Sequence, residues 1–310
     1  MKRSGAPWWG EARAFVLVLM LVGAAPAHGE DAAVPGRLAA ARLRAAYVAL
    51  RDDPGHGQFN RPLYMNSTEG ANDVSGEIYA LVDHPFAASA AALGTPSEWC
   101  EILILHLNTK YCRPSSDGEG TVLDVGIGKK YDQPMSEAYR LAFGYRVTAR
   151  TANFMQVSLD AGEGPLGTRD YRIVLEAAPS EGGRTLVRIS YAYSFGMAGR
   201  LAMQAYLGTA GRNKVGFTIV GRESDGRPLY IGGVRGVVER NTMRYYLAIE
   251  SFLGSLSSPP QARVEKSLRD WYAAVERYPR QLHELEQGEY LAMKRREYSR
   301  QQMEPGLPPK

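Results

Sequence analysis

Five successive segments between Leu123 and Phe195 place apolar residues at every second position, and this alternation limits the fold more than any other feature. In TLVRISYAYSF, Val187, Ile189, Tyr191, Tyr193 and Phe195 share one face against Arg188, Ser190 and Ser194. YRIVLEA sets Tyr171, Ile173 and Leu175 opposite Arg172 and Glu176, and LAFGYRVT groups Leu141, Phe143, Tyr145 and Val147. The same period runs through NFMQVSLD and TVLDVGIGKK. Sustained alternation of this kind marks antiparallel strands with one buried face. With EIYALV (77–82) upstream and LILHLNTKYC read as a strand, the count reaches about seven. A sheet of that size curls, and its concave apolar face needs a cover. GVVERNTMRYYLAIESFL (236–253) supplies one: a helix over 237–254, opened by the glycine-rich GGVRG, which closes the mouth of the curved sheet.

The segments around this core divide the chain. Lys2, Arg3 and Arg13 precede the apolar run AFVLVLMLVGAA, and AHG (27–29) offers small residues at a cleavage site, so residues 1–29 read as a secretory signal peptide. The run is shorter than the ~20 residues of a spanning helix, the alternative reading. Residues 30–73 comprise an alanine-rich helix, with Leu43, Tyr47 and Leu50 at helical spacing, and an irregular linker, PGHGQFNRPLYMNSTEGAN. The main domain covers 74–256, with short helices in PFAASAAALGTPSEWCEIL and MAGRLAMQAYLG and a hairpin turning at SDGR. A helical arm follows over 257–310. There Val264, Leu268, Trp271, Val275, Tyr278, Leu282 and Leu285 form a seam that Pro279 interrupts.

The full chain carries 37 Lys+Arg against 33 Asp+Glu; removing residues 1–29 takes away three basic and one acidic, leaving 34 against 32. So small a surplus gives no footprint for nucleic acid. The only cysteines, Cys100 and Cys112, lie close together in WCEILILHLNTKYC. In an exported, oxidised chain they are expected to pair as a structural clamp.

The order of elements over Val74–Leu256, together with DHPFAASAAAL, WCEILILHLNTKYC and VERNTMRYYLAIESFL, resembles the helix-grip fold of the START-like and polyketide-cyclase-like superfamily, most closely a secreted bacterial branch. The resemblance implies an α+β architecture, a curved antiparallel sheet sealed by a long helix, and a cavity between them that holds a lipid or another apolar molecule. The extra hairpin, the cysteine pair and both helical arms depart from the minimal pattern.

No GxSxG, HExxH, Walker or dinucleotide loop is found, no cofactor pattern is present, and the histidines have no metal-ligand spacing. GIGKKYDQ around Lys129 and Lys130 lacks the Walker spacing and reads as a turn. The candidate ligand residues are therefore Tyr145, Tyr171, Tyr191 and Tyr193 on the inward strand faces, with Arg240, Arg244 and Tyr246 on the sealing helix. The tyrosines either fill a core, their hydroxyls bonded within it, or line a cavity of mixed character. Arg240 and Arg244, four apart, are either a solvated stripe or a fork for an anionic head group. The leading expectation is a periplasmic binding or carrier protein for an apolar or amphipathic small molecule. Two alternatives stay open: an enzyme of the same fold using His106, or Asp83 with His84, and an envelope protein docking through the C-terminal seam. The basic end KRREYSRQQ is a candidate membrane-surface contact.

Overall fold

The computed structural model describes residues 28–53, 58–116, 118, 120–209 and 211–303; the expected signal peptide, apart from its last two residues, and His56 lie outside these. The chain runs α1 (His28–Arg51), β1 (Leu63–Glu69), β2 (Asp73–Val82), α2 (Phe86–Leu93), α3 (Pro96–Leu103), β3 (Thr109–Ser116) and β4 (Thr121–Ile127). It continues through β5 (Tyr139–Arg150), β6 (Met155–Glu163), β7 (Thr168–Pro179), β8 (Thr185–Phe195), α4 (Met197–Gly208), β9 (Ile219–Arg222) and β10 (Pro228–Tyr230). It ends with α5 (Gly233–Ser255), α6 (Pro260–Val275), α7 (Pro279–Leu282) and α8 (Gln287–Met303). Among the described residues no helix is long and apolar enough to cross a membrane.

Eight strands form one antiparallel sheet in the order β1-β2-β8-β7-β6-β5-β4-β3, and β9 and β10 form a separate hairpin. Each strand from β3 to β8 pairs with the next. The β1–β2 hairpin joins from the other end, with all ten residues of β2 paired along β8. Pro114, which lacks an N–H, is tolerated in β3 because that strand is a sheet edge.

Two readings of the sequence are corrected here. The sheet has eight strands rather than seven, because residues 63–69, read as linker, are edge strand β1. Only Leu63 and Met65 give that strand an apolar face, and Ser67 takes the third inward position, so its alternation is lost among Gly, Pro and Asn neighbours. The apolar run ILIL is not strand either. It closes α3 and forms the turn before Thr109, since Trp99, Ile102 and Leu103 bury on helical spacing.

The sheet grips α5, which packs on β1, β2, β8 and α3. Gly76 makes the closest approach possible: a Cβ there would lie 2.6 Å from Thr242 Oγ1 of the helix. Gly233, at φ 63°, supplies the left-handed residue that opens the helix. On its far side α5 is covered by α6, so the helix is enclosed rather than solvated on one face. That explains a charged helix with Val238, Met243, Leu247, Ile249 and Leu253 all buried. α1 covers the opposite, convex face of the sheet through Leu43 and Tyr47 against Tyr79 and Leu186.

The C-terminal seam is spent on this covering role. Leu268, Trp271, Val275 and Leu282 are buried in the chain's own core, so the docking reading loses its apolar surface. Pro279 splits the arm as expected, α6 ending at Val275 and α7 starting at the proline. The basic end is helix α8 packed on β3, where Lys294 is buried and Arg295 and Arg296 pair with Glu265 and Asp132. It is not a free cationic tail.

Candidate ligand-binding site

Inward side chains of neighbouring strands form cross-strand rows on the concave face. Ala161 is paired with Tyr171, and the next row runs Tyr145, Leu159, Ile173, Tyr191. The rings meet where the middle of the sheet faces α5. Tyr171 stacks on Tyr193 with centroids 5.4 Å apart, Tyr191 lies 5.6 Å from Tyr193, and Tyr245 of α5 sits 5.3 Å from Tyr191. Beyond Tyr245 the series continues to His106, stacked at 5.0 Å. Phe143 abuts Tyr171 edge-on at 6.4 Å. Contacts of this geometry contribute roughly 0.5–1.5 kcal/mol each beyond the area they bury.

Tyr171, Tyr191 and Tyr193 are thus brought together, while two other tyrosines are not. Tyr145 shares the face and row of Tyr191 but stands three strands away, about 14 Å at the usual strand spacing. Its hydroxyl has no partner among the described residues, and burial pushes its phenol up to about 12. Tyr246 points away from the ring cluster. Its hydroxyl accepts from Arg61 Nη2 (2.7 Å) and donates to Glu250 (2.9 Å), and Arg61 and Glu250 also pair directly. The residue that faces the tyrosines is Tyr245, because one step along a helix turns the side chain by about 100°.

The hydroxyls divide. Tyr171 donates to Thr168 Oγ1 at 2.8 Å, and Tyr191 is held by Asn241. Burial raises Tyr171, Tyr191, Tyr193 and Tyr245, so all four stay phenols across the range where proteins work. Tyr171 and Tyr245 remain only partly buried although they sit inside the grip.

Neither arginine is solvated; Arg240 and Arg244 are each 1% exposed. Arg244 donates to Glu284 at 2.9 Å, and its backbone carbonyl accepts from Trp271 Nε1. Arg240 donates to the Val215 carbonyl at 3.2 Å and pairs with no carboxylate among the described residues. Glu284, in the connection between α7 and α8, also receives Lys130 at 2.5 Å and Lys214 at 3.5 Å. Burial and the charge of Arg244 bring Lys130 down to about 8 despite its carboxylate partner. Arg244 itself is lowered, first by burial and then by Arg240 acting against Glu284.

His106 is buried, and its Nδ1 accepts the Asn108 N–H at 3.1 Å, which leaves the proton on Nε2. Burial, followed by the charges of Arg244, Lys294, Lys130 and Lys110, holds it well below its usual value and therefore neutral. Asp83 is exposed at the far end of β2 and forms no pair with it. Among the described residues no group of three His, Cys, Asp or Glu side chains is placed to hold a metal. Sequence reasoning missed Tyr245, Lys130, Lys214 and Glu284 as site residues. Only Tyr245 carried a signal, its helical offset from Tyr246.

No family model matches the chain, and no curated protein matches it. Solved structures similar to it include a truncated norcoclaurine synthase from Thalictrum flavum, 14% identical over 46% of this chain and 91% of that one, with a TM-score of 0.32. Ara h 8.0201 is 11% identical over 62% of this chain and 99% of that one, with a TM-score of 0.34. Human StAR-related lipid transfer protein 5 is 9% identical over 56% and 88%, with a TM-score of 0.30. Likeness at this level carries no argument about ligand or activity, which are read from the chain's own geometry.

Proposed function

We propose that this chain binds an apolar or amphipathic small molecule between the concave face of its sheet and α5, acting as an exported binding or carrier protein. The observation that supports this is the ring series Tyr171, Tyr193, Tyr191, Tyr245: four phenols gathered between the sheet and α5, two of which are only partly buried. A small-molecule site presents a mostly apolar wall with a few placed polar groups. The neutral His106, the Asn241 amide and the hydroxyls supply those groups. His106 is buried and Asp83 exposed, so the enzyme alternative loses the pairing of these two groups.

Native mass spectrometry of protein recovered from an exporting host, followed by organic extraction, tests the reading. A co-purifying species of fixed mass is expected, together with weaker retention in Tyr245→Trp, whose larger ring occupies the accessible space. Protein with no bound species, and no uptake of an added hydrophobic dye, would sink it.

A further inference from the structure

The charges of Lys130 and Arg244 act on His106, the last ring of the series, and that of Arg240 on Tyr193; with Lys214 these make four cations, and one carboxylate, Glu284, is all that pairs with them among the described residues. Glu239, next to Arg240 in the chain, is engaged elsewhere. It accepts from Ser67 Oγ, Thr218 Oγ1 and the Phe217 and Thr218 N–H groups. The two arginines are buried, so water screens them poorly, and their charge acts on whatever lies in front of them. The two lysines are different: their side chains are 25% and 24% exposed, Lys130 Nζ meeting Glu284 at 2.5 Å and Lys214 Nζ donating to the His283 carbonyl at 2.6 Å, which leaves each ammonium further N–H bonds to give. The Lys130 ammonium lies 6.0 Å from the centre of the Tyr206 ring of α4, and Arg244 lies beside Asn241, itself partly exposed.

We infer that the polar end of the bound molecule is an anionic head group, received by Lys130 and Lys214 over a field set by the buried Arg240 and Arg244. This rests on the binding reading above and names its ligand class: an anionic amphiphile, apolar body against the tyrosines and negative head at the lysines. Four cations facing one carboxylate repel one another; Lys130 is lowered first by burial and then by the charge of Arg244. A single added negative charge relieves the repulsion, whereas a neutral or cationic head does not. The arginines are too enclosed to touch the head; they make the end of the cavity positive, and the lysines make the contact. The turn GIGKK thus carries a ligand contact without being a phosphate loop.

The test compares three ligands of one chain length, dodecanoate, dodecanol and dodecyltrimethylammonium, by displacement of a fluorescent hydrophobic dye from the full chain. Dodecanoate is expected to bind about tenfold or more tighter than dodecanol, with the cation weakest. In Lys130→Gln/Lys214→Gln the dodecanoate advantage should fall to about twofold or less while dodecanol binding is unchanged. Lys130→Arg should retain most of the advantage. Because both lysines are partly exposed, these variants are expected to fold, which circular dichroism checks. Equal affinity for acid and alcohol, or an acid preference untouched by the double substitution, would overturn this inference and leave the cavity reading standing. Binding of none of the three would overturn both.

Discussion

Two carboxylates outside the ring series show how strongly environment sets the behaviour of single residues in this chain. Glu297 of α8 is enclosed between Lys110 and Lys294, all three side chains at most 1% exposed. Lys110 Nζ reaches one carboxylate oxygen at 2.9 Å and the carbonyls of Leu107 and Tyr131; Lys294 Nζ reaches the other oxygen at 2.6 Å and the carbonyls of His106 and Thr109. Every ammonium has its acceptors, so the charges are tolerable together and costly apart. Glu297→Gln strands two buried cations and is expected to lower stability by about 3–5 kcal/mol in urea unfolding; a change under about 1 kcal/mol would show that water reaches the cluster. Glu101 is the opposite case. Burial, with Glu98 nearby and a Tyr298 hydrogen bond opposing, raises its carboxyl to about 7. The folded state therefore holds its proton where the unfolded chain, near 4.5, has released it. Its contribution to stability is complete below about pH 4.5 and is lost as pH rises through about 7. Thermal melts of Glu101→Gln should consequently lie above wild type at pH 8 and level with it at pH 4, whereas parallel curves would contradict the shifted carboxyl.

Among the elements, what the sequence disclosed depended on whether a signal was local. Strands β4 to β8 carry their own alternation, and β8 is buried at every inward position that TLVRISYAYSF predicts. Strand β1 is short of apolar residues because as an edge it borrows its register from β2, with seven consecutive pairs from Leu63–Ala80 to Glu69–Val74. The arginine stripe of α5 gave a misleading picture for a related reason. A charged helical face reads as solvated unless one knows what covers it: Arg240 donates to Val215 before the helix, and Arg244 to Leu282 and Glu284 beyond α6. Glu284 belongs to the site only because α7 and α8 fold back, bringing it to Arg244 across 40 residues of chain. No local pattern encodes that meeting. α8 itself closes the arm: Tyr290 stacks on Trp271 at 5.0 Å and donates to the Leu105 carbonyl, and Gln301 accepts the Cys112 N–H. Deleting residues 287–310 removes these partners and leaves Lys110 buried without its carboxylate. The truncated chain is expected to unfold or to melt far below wild type while the full chain sediments as a folded monomer. A truncation product that stays stable, or an oligomer that becomes a stable monomer, would return the arm to a docking role.

At the scale of the whole molecule, the covering arm, the ring series and the sheet edge all converge on the segment from α3 to β3, and one covalent bond fixes it. Cys100 and Cys112 form a disulfide with Cα atoms 5.1 Å apart, joining the buried face of α3 to the edge strand beneath α8. His106, which ends the ring series, and the Leu105 and Leu107 carbonyls, which receive Tyr290 and Lys110, all lie within the closed loop. In the chain-entropy account, closing a loop of this length stabilises the fold by about 3 kcal/mol. Such a bond suits the exported compartment that the N-terminal run leads us to expect. Both sulfurs are almost fully buried, so a reductant should reach them only through opening of this region. Cys100→Ala/Cys112→Ala is therefore expected to lose about 2–3 kcal/mol in urea unfolding and to be cleaved faster near the α7–α8 connection under limited proteolysis. Dithiothreitol should lower the melting temperature of wild type toward that of the double variant and leave the variant unchanged. If the variant instead melts with wild type and resists protease equally, the bond constrains nothing that packing has not already fixed, and the anchoring of α8 must come from the Lys110, Lys294 and Glu297 cluster alone.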